Sequence, residues 1–272
     1  MLLRLTLIAA LCMSFLFVSG CDDDNTNVPD NTPSDELNYS TLITWIEKDG
    51  YRINIWALEQ LYVGYNQFRL EVIDLATDKA VTPDFWQYLP TMQMDNNLTH
   101  SGPRTGPDGD KFDIAFIMPS TSTRKWNLSL TVEVGGQQIK QDFKLDVLQS
   151  NYCKIVGTLD GGPEDNYAVA LKKSNWKVGL NDIEFILYDQ KSLMQFHPVS
   201  AASIEMEPDM PSMGHGSNNN VAPVASGTPG LFKGQANFTM SGRWRLTFAA
   251  EIPVNLENTV RIEDIEMFVQ VP

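Results

Sequence analysis

From residue 38 onward, apolar and polar positions mostly alternate, and turn-forming residues recur every eight to twelve positions. In the first half, "YRINIWALE", "QFRLEVIDL", "KFDIAFIM", "WNLSLTVEV" and "QDFKLDVLQ" read as half-buried strands. In the second half, so do "YAVALKK", "DIEFILYD", "QANFTM", "WRLTFAAEI" and "IEDIEMFVQV". No segment keeps a helical period, so the expected class is all-β.

The pattern also repeats. "VGYNQFRLEVID" (Val63 to Asp74) aligns without a gap with "VGLNDIEFILYD" (Val178 to Asp189), 115 residues further on. Each is followed by a long segment containing Met and His, expected to be a loop, then a strand ending in Met, then a Trp-led strand. This predicts two related β-sandwich domains in tandem, over residues 40–149 and 150–272, the second opening at "NYCKIVGTLD".

The first residues break this pattern. Arg4 is followed by "LTLIAALCMSFLFVSG", one apolar run ending in small residues, which reads as a secretory signal over residues 1–20. The run stops at "FVSGC", which resembles the bacterial lipobox, and the resemblance implies that Cys21 carries lipid after cleavage behind Gly20. Residues 21–39, with "DDDNTNVPDNTPSDE" directly after Cys21, read as an acidic flexible tether. An uncleaved membrane anchor is the alternative. The expected location is therefore the bacterial cell envelope, lipid-anchored at the outer membrane on its periplasmic or surface face. With Cys21 acylated, Cys153 has no partner and reads as a small buried hydrophobe.

The chain of 272 residues carries 20 Lys and Arg against 34 Asp and Glu, a formal charge of −14. That excess excludes a nucleic-acid partner, since nothing here could release counterions from a phosphate backbone. A polybasic contact with lipid is excluded on the same ground. Only three histidines are present, none beside a candidate nucleophile. With no phosphate loop and no metalloprotease helix either, no enzyme is expected.

Candidate chemistry concentrates in "EMEPDMPSMGHG", where Met206, Met210, Met213 and His215 fall within twelve residues. Thioethers are soft and neutral, and with imidazole they suit copper, above all Cu(I). Zinc would prefer thiolate, imidazole and carboxylate, and this segment offers one imidazole flanked by Glu207 and Asp209. Pro208 and Pro211 restrict the backbone and reduce the entropy lost on ordering it around an ion. Met240 is a further candidate ligand, and Trp244 could shield an ion with its ring face. Met206 and Met240 read equally well as core packing, and Trp244 and Trp126 as the buried tryptophans of two sandwiches. An exposed Met patch for protein contact competes with the metal reading.

The second half resembles the YtkA-like domain, related to FixH-like proteins. The resemblance rests on "VGLNDIEFILYD", "MEPDMPSMGHG" and "TPGLFKGQANFTMSGRWRLTF", including the Met-x-Gly-x-Trp hairpin at Met240, Gly242 and Trp244. It implies an immunoglobulin-like sandwich and an envelope protein linked to metal handling, often copper. The first half reads as a degenerate copy that keeps Met92, Met94, His100, Met118 and Trp126 but lacks the Pro-x-Met-Pro core, so that His100 with Met92 and Met94 is at most a vestigial or second site. His197 is expected to be structural, and the carboxylates of "DNNLTHSGPRTGPDGDKFD" form a solvated turn rather than a calcium loop. The expected function is capture and hand-over of copper through Met206, Met210, Met213, His215 and Met240, with an envelope protein as donor or acceptor. The alternative is a surface interaction or adhesion module that binds no metal.

Overall fold

The computed structural model describes residues 37–157, 166–255 and 257–272. The expected signal segment, Cys21 and the tether as far as Glu36 lie outside the described residues. Among the described residues there is no helix, and twenty strands account for the regular structure. The first ten are β1 (Thr41–Lys48), β2 (Tyr51–Ala57), β3 (Gly64–Asp74), β4 (Lys79–Val81), β5 (Phe85–Gln93), β6 (Thr99–His100), β7 (Arg104–Asp108), β8 (Lys111–Phe116), β9 (Trp126–Val134) and β10 (Gln137–Leu145). The second ten are β11 (Cys153–Gly157), β12 (Asn166–Leu171), β13 (Gly179–Gln190), β14 (Phe196–Pro198), β15 (Ser203–Met210), β16 (His215–Gly216), β17 (Val221–Ala225), β18 (Leu231–Phe238), β19 (Gly242–Pro253) and β20 (Thr259–Val271).

The two sets are built alike. One sheet runs β1-β2-β3-β8-β7 with β4 on β3, and its counterpart runs β11-β12-β13-β18-β17 with β14 on β13. The second sheet of the first half runs β10-β9-β5-β6, and that of the second half runs β20-β19-β15-β16. Adding ten to each strand number of the first half therefore gives the second. The chain is two immunoglobulin-like β-sandwiches in tandem, all antiparallel within their sheets, with alternating side chains meeting between the layers.

The repeated segment earns its place at the start of β3 and β13. Asn66 accepts the Tyr62 N–H and donates to the Tyr62 and Gly64 carbonyls, at 3.1, 2.8 and 2.8 Å. Asn181 accepts from Lys177 N–H and donates to the Lys177 and Gly179 carbonyls at 2.9, 2.7 and 2.7 Å. Both asparagines are buried and each satisfies three backbone groups, fully buried ones at Asn66 and partly buried ones at Asn181. Gly64 precedes the first with φ of 140°, and a Cβ there would stand 2.8 Å from the Tyr62 ring and 2.9 Å from Tyr152. Asn66→Ala and Asn181→Ala are each expected to cost about 1–3 kcal/mol per backbone group left unpaired. Urea unfolding of the two variants measures the loss, and an unchanged midpoint would show that relaxation replaces the lost bonds.

The first hydrophobic cluster is not confined to the first sandwich. Cys153, Ala168, Ala170, Ile186 and Tyr188 of the second half are buried in it, while Tyr167, Val169 and Leu171 belong to the second cluster. Strand β12 is thus covered on both faces, which corrects the expectation of a half-buried strand. Its run "YAVAL" puts small alanines toward the neighbouring sandwich and larger side chains into its own core. Residues 37–272 form one compact unit, with the Tyr65–Lys172 bridge and the edge-on Tyr62–Tyr152 pair across the junction. Cys153 is a buried free thiol whose pKa burial pushes up to about 12, so it packs as a hydrophobe.

A polar cluster sits in the same junction. Tyr65 donates its phenol to Asp113 at 2.5 Å, Tyr188 lies 3.0 Å from the Thr105 hydroxyl, and Tyr88 donates to the Thr105 and Asp113 carbonyls. Burial pushes the Asp113 carboxyl up to about 6, against the downward pull of the Tyr65 hydrogen bond and the Lys172 charge.

Candidate metal centre

The Met/His segment differs from the expected loop. Residues 203–210 form strand β15, paired with β19 from Ser203–Glu251 to Asp209–Arg245. The alternation of "SIEMEPDM" is the physical reason. Ile204, Met206, Pro208 and Met210 face the core, while Glu205, Glu207 and Asp209 face outward. Pro208 is tolerated because its carbonyl accepts the Ser217 N–H on the side away from β19. Its missing N–H would have pointed to that same outer side, so no bond to β19 is lost.

Two of the outward carboxylates, Glu205 and Asp209, are used in ion pairs. Asp209 grips Arg245 through both oxygens at 2.8 and 2.9 Å, and Arg245 also reaches Glu266 at 2.6 Å. Arg261 holds Glu205, Glu251 and Glu263 on the same face. Among the described residues, no group of three or more His, Cys, Asp or Glu is placed to hold a metal ion.

The thioethers and the imidazole divide by position. Met206 is 8 % exposed and packs in the second core opposite Phe248. It lies four residues before Met210 on the same strand face, about 13 Å away along the strand, so the two sulfurs do not share one centre. Met210 is 3 % exposed and ends β15. A turn follows, closed by the Met213 N–H to the Met210 carbonyl at 3.0 Å, with Gly214 at φ 58°. The chain then returns as β16, where His215 stands directly opposite Met210 in the ladder. Residues so paired project from the same face, with Cβ atoms about 4.5–5.5 Å apart.

Trp244 forms the floor beneath this pair. It is fully buried, its centroid is 5.4 Å from Phe238, and its Nε1–H donates to the Met240 carbonyl at 3.0 Å. The His215 ring meets it edge-on at 6.4 Å, and His215 Nε2 lies 3.2 Å from Thr239 Oγ1. The Met210 methyl fills the place of a side chain at Gly242, where a Cβ would be 2.9 Å from Cε and 3.7 Å from Sδ. Any larger residue at 242 would displace Met210. Met240 is partly buried against the same core, in the bend between β18 and β19 rather than on one strand with Trp244. Met213 is 63 % exposed in the turn.

Of the five sequence candidates, Met210 and His215 thus face each other at Trp244, Met240 meets the indole through its backbone carbonyl, Met213 stands in solvent, and Met206 lies deeper in the core. His197 lies on β14 opposite Asp189, on the other sheet of the sandwich. The first sandwich repeats the arrangement at the residues the sequence singled out: Met92, one residue before the end of β5, stands opposite His100 of β6, as Met210 faces His215.

Comparison with curated proteins returns no match. Among solved structures, a conserved domain protein from Bacillus anthracis aligns at 11% identity over 86% of this chain and 93% of its own, with a TM-score of 0.27. The adhesin FdeC of Escherichia coli aligns at 13% identity over 78% and 60%, with a TM-score of 0.25. Tandem immunoglobulin domains A164-A165 of titin align at 11% over 78% and 91%, with a TM-score of 0.19. At such TM-scores these overlaps carry no argument about function. Residues 163–249 match the YtkA-like family, and the second sandwich carries a YtkA-like domain.

Proposed function

We propose that this chain is an envelope lipoprotein, anchored through Cys21, that captures Cu(I) at the rim of its second sandwich and hands it to an envelope acceptor. The observation that carries the reading is the cross-strand pairing of Met210 with His215 over Trp244. A thioether needs no deprotonation to bind, and a soft monovalent ion prefers it to the carboxylates on the opposite face. Met210 and His215 supply the first two donors, and Met240 or the exposed Met213 completes the set. The indole of Trp244 walls the ion from the core. Met206 stays with the core as packing. His215 and Met213 are open to solvent, so an acceptor can reach the ion from outside.

The test is a Cu(I) titration of the purified chain against bicinchoninate. Met210→Leu with His215→Gln keeps the side-chain bulk and removes both donors. Loss of even outer-shell partners costs 10- to 100-fold in metal affinity, so removing two ligands is expected to cost on the order of 100-fold or more. Unchanged affinity overturns the reading and leaves Met213 as a contact for a protein partner.

A further inference from the structure

Two ladder positions align the two rims. Pro90 pairs with Leu128 in the first sandwich and Pro208 with Leu246 in the second. Two residues beyond each proline stand Met92 and Met210, and two before each leucine stand Trp126 and Trp244. Both tryptophans are fully buried, and each donates its indole N–H to a methionine carbonyl, Met118 at 2.9 Å and Met240 at 3.0 Å. Met92 faces His100 in the ladder as Met210 faces His215. Four chemically distinctive residues thus recur at the same four places of the fold, although the linking sequences share no Pro-x-Met-Pro core.

The first rim adds an observation that the second lacks. His100 Nδ1 is buried and has no hydrogen-bond partner. A buried polar atom left unpaired costs on the order of 1–3 kcal/mol, and an unpaired imidazole nitrogen on the residue opposite Met92 is a donor that a soft cation could use. The His100 segment is also held firmly. Ser101 donates its hydroxyl to the Pro90 carbonyl at 2.7 Å, and its N–H goes to the Leu193 carbonyl of the second sandwich at 2.8 Å. A Cβ at Gly102 would collide with the Ala115 carbonyl oxygen and lie 3.8 Å from the Trp126 ring, so no larger residue fits at this position two beyond the histidine.

One difference sets the strength of this rim. The residue two before the tryptophan is Gly242 in the second copy and Arg124 in the first. The Arg124 Nη1 lies 3.9 Å from the Met94 sulfur, with Asp95 3.9 Å from its Nε. A guanidinium there occupies Met94 and opposes a second cation.

We propose that the first sandwich holds a second, weaker site for a soft monovalent cation, with Met92 and His100 as its donors. The inference extends the reading of the Met210–His215 rim, and the variants separate the two. The experiment titrates the full chain with Cu(I) against bicinchoninate and counts equivalents bound, with circular dichroism to confirm the fold of each variant. Met92→Leu conserves core volume, so Met92→Leu with His100→Gln is expected to fold.

The native chain is expected to bind two equivalents. M92L/H100Q removes the weaker one, M210L/H215Q removes the tighter one, and Arg124→Gln tightens the weaker step. A single equivalent untouched by M92L/H100Q overturns the first-sandwich site and leaves the Met210 rim standing. A single equivalent lost only in M92L/H100Q supports the first-sandwich site and removes the second. No binding at all overturns both.

Discussion

Trp244→Ala is expected to destabilise the chain by about 3–5 kcal/mol, the usual cost of emptying a buried tryptophan site. The side chain is fully buried, tilts against Phe238 and closes the bend at Met240 with its indole N–H. Its loss opens a cavity and strands the Met240 carbonyl, and it removes the wall on which Met210 and His215 rest. Chemical denaturation followed by circular dichroism measures the first effect. Trp244→Phe isolates the second, since it keeps an aromatic filler but weakens any ring-face contact with a bound ion by about 0.5–2 kcal/mol. A Trp244→Ala variant within 1 kcal/mol of the native chain would mean that this rim collapses freely and is not a built site.

The second large effect concerns acid. Asp113 has its carboxyl raised from an ordinary 3.8 to about 6, chiefly by burial in the junction, with Tyr65, Gln67, Lys172 and Asp108 as its other influences. Between pH 4 and 6 the folded chain therefore holds a proton that the unfolded chain releases. Its contribution to stability is fully present below pH 4 and is lost as pH rises through 6, by about 3 kcal/mol. Asp113→Asn imitates the protonated form. The variant is expected to match the native chain near pH 4 and to exceed it by about 3 kcal/mol at pH 8. Denaturant titrations of both proteins across that range provide the measurement, and a pH-independent difference would mean that the junction admits water.

The architecture was legible because both copies largely keep a two-residue period and share the Val-Gly-x-Asn start, whose asparagine cap gives the likeness a structural cause. The strands β5 and β15 were not recognised, and for one reason. Pro90 and Pro208 sit inside "FWQYLPTMQ" and "SIEMEPDM", and proline inside an alternating run ordinarily argues against a strand. Here both prolines turn their nitrogen to the outer side, where a two-residue strand returns only beyond them. The alternation of "SIEMEPDM" was in the sequence and outweighed the breaker. Burial of β12 on both faces was not legible, because alanine at alternate positions suits a solvent face as well as a docked one. In the candidate site, the pairing of Met210 with His215 depends on a four-residue turn, and spacing alone does not fix which residues face each other. Met206 shares its neighbours' chemistry but not their place, since two strand repeats separate it from Met210.

The coverage of β12 limits how the molecule can be divided. Cutting before Cys153 would strip the first sandwich from Ala168, Ala170, Ile186 and Tyr188. The released fragment would expose these apolar side chains to water beside the Lys172–Glu184 ion pair and is expected to associate with its own copies through them. The first sandwich thus shields this face of the second, and isolated-domain preparations are expected to elute as oligomers while the intact chain does not.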